Sequence, residues 1–91
     1  MRLRIDRASR FTVEAVVSLE YSDETPRRLG VLRFYKNYTS CVVSGIRREV
    51  EFPSLADALT GLMASRGPVL APDFRQALIA AAVLDFEAGL Q

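Results

Sequence analysis

The spacing of apolar side chains changes once along this chain, at Pro53-Ser54. Upstream, apolar residues recur at every second position; downstream they recur at helical spacing. Strands therefore come first and helices last, which is the order of an α+β domain and not of alternating βαβ units. The clearest upstream signal is Phe11 to Tyr21. There Phe11, Val13, Ala15, Val17, Leu19 and Tyr21 alternate with Thr12, Glu14, Val16, Ser18 and Glu20, and only Val16 breaks the period. At ~3.3 Å per residue such a strand would run roughly 35 Å, long enough to bend or carry a bulge.

Other strands flank it. Leu3 and Ile5 alternate with Arg2, Arg4 and Asp6, and the polar run Ser22-Asp23-Glu24-Thr25-Pro26 separates the long strand from Leu29–Tyr35. Lys36-Asn37 fits a tight turn into a fourth strand, 38–43, whose buried face the pattern leaves open. Ser44-Gly45 marks a bulge or a further turn, and beyond it Ile46, Val50 and Phe52 read as inward, with Arg48 at an edge. The expectation is an antiparallel sheet of four to five strands over about 1–52.

Downstream, Ser54 is a good N-cap and Asp57 suits a first helical turn. Leu55, Leu59, Leu62 and Met63 form one stripe, and Gly67-Pro68 ends the helix. Pro72-Asp73 opens a second helix reaching about Gly89. Two helices, about 55–66 and 73–89, are thus expected to pack on one face of the sheet. The second has two apolar stripes: Ile79, Val83, Phe86 and Leu90 on one, and Phe74, Leu78, Ala81 and Leu84 on the other. One stripe suffices to cover a sheet. The helix should therefore touch two things, and the stripe Ile79, Val83, Phe86 and Leu90 is assigned to self-association.

Ninety-one residues make one domain, 1–91, with a thin core. No apolar run approaches the ~18 residues of a membrane span. Met1–Asp6 alternates charge with apolarity where a secretory leader would be continuously apolar, so a cytoplasmic location is expected, without a membrane partner. The single cysteine, Cys41, reads as a buried, inert thiol.

The chemistry on offer is meagre. Without histidine the chain has neither the usual zinc ligand nor the usual neutral-pH base, nor any Ser-His or Cys-His pair. Its glycines form neither a dinucleotide fingerprint nor a phosphate loop. Glu49 and Glu51 share a strand face, as carboxylates on a wet sheet surface often do. No catalytic, metal or cofactor site is therefore expected, and the chain does not read as an enzyme.

Charge is distributed unevenly. Residues 1–48 have ten basic and five acidic side chains, and residues 49–91 two and six. Arg33 and Tyr35 share a strand face, and with Tyr38 and Arg47 they could form a basic, aromatic surface. On the simpler reading, those arginines neutralise Glu14, Glu20, Glu49 and Glu51 across strands. The sequence is best read as a non-catalytic protein-interaction module: a small adaptor, inhibitor or assembly partner, of the kind a phage or mobile element carries. It would self-associate as a homo-oligomer and bind an acidic protein through Arg33, Tyr35, Tyr38 and Arg47. The alternative is nucleic-acid binding through the same face, with arginine on phosphates and tyrosine stacked on bases.

Overall fold

The computed structural model describes residues 1–7, 14–35, 39–43 and 49–89. Five strands, β1 (Arg2–Arg7), β2 (Glu14–Glu20), β3 (Arg27–Phe34), β4 (Thr39–Val43) and β5 (Glu49–Phe52), precede two helices, α1 (Leu55–Arg66) and α2 (Pro72–Gly89). The strands pair antiparallel in chain order, β1-β2-β3-β4-β5, so each connection joins neighbours. This is the expected α+β architecture, with the fifth strand present.

The period of two decides which side chains are covered. Leu3 on β1, Ala15, Val17 and Leu19 on β2, Leu32 on β3 and Cys41 on β4 are buried beneath the helices. The face that the sequence left open on the fourth strand is thereby settled: Thr39 and Cys41 turn towards the helices and Ser40 to the other side. A bulge interrupts the β2–β3 register. Val17 faces Gly30 and Ser18 faces Arg28, which leaves Leu29 as the extra residue. Leu29 and Gly30, at the bulge, are both buried.

At the other end of the sheet, Val50 was expected to be inward. It lies opposite Cys41 but is 38% exposed, because β5 is an edge strand and the helices do not fully cover it. Ile46 and Arg48 lie outside the described residues, as do Phe11, Thr12 and Val13.

α1 begins as the sequence implies. The Ser54 backbone is extended, its hydroxyl accepts from the Asp57 amide at 3.2 Å, and it donates to the Asp57 carboxylate at 2.9 Å. Ala58, Leu59, Leu62 and Met63 are buried, and Leu55 packs at the margin of the core. Gly67 ends the helix by donating to the Met63 carbonyl at 3.0 Å. Its φ of −78° is one that any residue adopts. What requires glycine there is space, since a Cβ would sit 2.7 Å from the Met63 carbonyl oxygen.

Gly61 is a second close approach, where α1 crosses the Phe52 ring of β5. A Cβ there would lie 2.6 Å from Phe52 Cζ and 2.9 Å from Cε1. Alanine is favoured over glycine by about 1 kcal/mol inside a helix, whereas overpacking costs about 1–3 kcal/mol. Gly61→Ala is therefore expected to destabilise the intact protein by about 1 kcal/mol and to stabilise a Phe52→Ala background by about the same amount. Urea unfolding of the four chains checks this; an effect of one sign in both backgrounds removes the ring as the cause.

α2 rests on β1 and on α1. Pro72 occupies its first turn, where a missing amide costs nothing, and the Arg75 amide reaches the Ala71 carbonyl at 3.0 Å. Leu78, Ile79 and Ala82 are buried. No helix among the described residues is long and apolar enough to cross a membrane.

Candidate interaction surfaces

The sheet face away from the helices carries Arg33 and Tyr35 together, as strand alternation requires, but it does not leave them as a basic patch. Glu14 stands directly opposite Arg33 on β2, and the Arg33 Nε donates to its carboxylate at 2.9 Å. On the other flank Arg33 Nη1 lies 3.7 Å from Glu49 Oε2. The Tyr35 hydroxyl donates to Glu49 Oε1 at 3.3 Å, and the Ser40 hydroxyl donates to the same oxygen. These carboxylates hold the Arg33 guanidinium above its ordinary pKa, the Glu14 hydrogen bond contributing most. Arg4 repeats the arrangement on β1, with hydrogen bonds of 2.8 Å to both Glu20 and Asp6 that raise its pKa.

Across the described part of this face, Arg4 on β1 and Arg33 on β3 are thus each set beside two carboxylates, one of them on β2. That is the cross-strand neutralisation weighed above for Glu14, Glu20 and Glu49. Glu49 is occupied by Ser40, Tyr35 and Arg33, while Glu51 on the same strand is exposed. Tyr38 and Arg47, the other two residues assigned to this surface, lie outside the described residues. Ser40, fully buried and bonded to Glu49, is a member of the network that alternation alone did not single out. Cys41 is buried as expected, and burial pushes its thiol pKa up, so the thiol stays neutral.

The last helix differs more from expectation. Ile79, assigned to self-association, is 2% exposed and belongs to the core. Val83 packs against that core, and Phe86 stacks on Phe34 of β3, with ring centroids 5.1 Å apart and planes 17° apart. Leu90 lies outside the described residues. The inward arc is wide because α2 must cover both β1 and α1, so it takes in Leu78 from one stripe and Ile79, Val83 and Phe86 from the other. What remains outside is the rest of the second stripe: Phe74 at 46% and Leu84 at 68% exposure, with Ala81 between them.

Beside that exposed flank runs a groove between β1 and α2. A cavity of about 310 Å³ lies against Leu3, Ile5, Ala82 and Phe86, with Arg2, Arg4, Asp6 and Asp85 at its rim. A second, of about 270 Å³, extends it past Met1, Ala77 and Ala81 and shares Arg2, Leu3 and Asp85. A third, of about 170 Å³, continues the other way to Arg7 and Gly89 and shares Ile5, Asp85 and Phe86. The groove therefore follows the whole length of β1. The ion pair from Arg2 to Asp85, 3.1 Å, crosses it with both partners exposed.

β1 is an end strand whose only partner among the described residues is β2. Alternate backbone N–H and C=O groups of β1 therefore point outwards along the groove. An extended chain laid there would meet main-chain donors and acceptors on one side and apolar side chains of α2 on the other. Among the described residues no group of acidic side chains and cysteine is arranged to hold a metal ion. Comparisons with protein-family models, with curated proteins and with solved structures found no match.

Proposed function

We propose that this chain is a non-catalytic protein-interaction module that binds its partner by strand addition along β1, with α2 as the second wall of the site. The groove that follows the length of β1 carries this reading. Main-chain pairing at a sheet edge supplies affinity in such a site, and pockets beneath alternate side chains supply selectivity. The role of a small adaptor, inhibitor or assembly partner fits a surface of this kind.

The open sheet face supports a protein partner better than a nucleic acid. Binding to a phosphate backbone draws on arginines whose charge is available to displace counterions. Arg33 and Arg4 are each already beside two carboxylates.

A photo-activated cross-linking residue placed at Arg4 in the full chain tests the reading in cells. The expected result is protein adducts from that position and none from the same residue placed at Ser65, at the far end of α1. Adducts to nucleic acid alone, or equal yields at both positions, would sink it.

A further inference from the structure

We infer that the occupant of the β1 edge is β1 of a second copy of this chain, paired antiparallel about a two-fold axis at Ile5. This inference rests on the strand-addition reading and names its partner. The argument begins with the charges on the outer face of β1, which in order are Arg2, Arg4 and Asp6. In a two-fold antiparallel pair, directly opposed residues share a face, so the axis must pass midway between some residue of the strand and its own copy.

Each choice of axis sets different charges against one another. Centred on Leu3, the pair opposes Arg2 to Arg4 twice. Centred on Arg4, it opposes Arg2 to Asp6 twice but also Arg4 to itself, and centred on Asp6 it opposes Asp6 to itself. Only the pairing centred on Ile5 opposes Arg4 to Asp6 twice and places no like charges across from each other. Opposite charges in directly facing positions favour a pairing, and like charges disfavour it. On the helix side this register brings Ile5 against its copy, a β-branched pair suited to a sheet.

The helical flank agrees with the strand. An axis normal to the sheet keeps both α2 helices on one face and brings their β1-side flanks together. That flank runs through Ala77, Ala81 and Asp85; its two alanines let helices approach closely, and Asp85, which lies beside Ile5, is already paired with Arg2 at 3.1 Å. The same operation thus covers the open edge of the sheet and the groove beside it. A closed two-fold dimer results, with a sheet continuous through both copies.

Charge exchange tests the register directly. Light scattering over the micromolar range should find the intact chain dimeric. Arg4→Asp alone and Asp6→Arg alone each place like charges opposite one another twice, and each should weaken the dimer by about tenfold or more. Mixed together, those two chains oppose only unlike charges, so native mass spectrometry should show the heterodimer in preference to either homodimer. Both side chains are exposed, and circular dichroism verifies that each variant is folded. The double variant Arg4→Asp/Asp6→Arg should recover the homodimer and decides the matter if a single variant does not fold. A strict monomer of the intact chain, single variants as dimeric as the parent, or a mixture without heterodimer would each overturn the inference. Cross-links from position 4 to a different protein, alongside a monomeric chain, would overturn the dimer while leaving the strand-addition reading in place.

Discussion

Leu32→Ala is expected to lower stability by about 3 kcal/mol and the melting temperature by roughly 12–24 °C. Leu32 lies in β3, the middle strand of five, and is fully buried. Its opposite neighbours are Ala15 on β2 and Cys41 on β4, both small and both buried. Neither side chain can reach into the space that the lost isobutyl group leaves, and the bonded strands cannot close over it. The cavity cost therefore adds in full to the lost transfer energy. For a domain of this size, with about 5–10 kcal/mol of net stability, roughly 30–60% would disappear. Val50→Ala on edge strand β5 is the control and should change stability by less than ~1 kcal/mol. Thermal melts of both variants followed by circular dichroism measure the difference. Equal losses would mean that the centre of the sheet is not where the core is held.

Leu32 and its neighbours were legible because a sheet covered on one side imposes a period of two that survives in the linear sequence. Ala15, Val17 and Leu19 fall in place for the same reason. The change to helix at Pro53-Ser54 was equally plain, since a cap is a local event and Ser54 bonds only to residues within one turn. Three features were not legible, and each depends on distance through space. The environment of Arg33 is fixed by Glu14, 19 residues away, and by Glu49, 16 residues away, so a basic face became a balanced one. The bulge at Leu29 is marked in β3 only by the neighbouring Gly30, and a lone strand glycine does not say which residue goes unpaired. Two apolar stripes on α2 gave equal reason to bury either, and the choice depends on what the other elements offer it.

What they offer is Phe34, and Phe86→Ala is accordingly expected to cost about 2 kcal/mol, below the 3–5 typical of a fully buried ring because this one is only partly buried. The Phe86 ring lies nearly parallel to that of Phe34. The Arg7 guanidinium stands 5.7 Å from the Phe34 centroid and 5.8 Å from that of Phe86, within reach of both π-faces. One cation and two rings thus join β1, β3 and α2 at one end of the sheet. A cycle of Phe34→Leu and Phe86→Leu should show a coupling of about 0.5–1.5 kcal/mol beyond area burial. The loss should also be local. α2 packs on β1 and α1 but not on β2 or β3 strand backbones, so amides in its C-terminal half should exchange faster while the central strands keep their protection. Because Phe86 also lines the groove beside Ile5, the same variant should weaken whatever occupies β1, in proportion to the loosening of that wall. A Phe86→Ala chain with unchanged exchange in α2 and no coupling to Phe34 would return Ile79, Val83 and Phe86 to the role of an outward stripe, and would remove α2 as a fixed wall of the site.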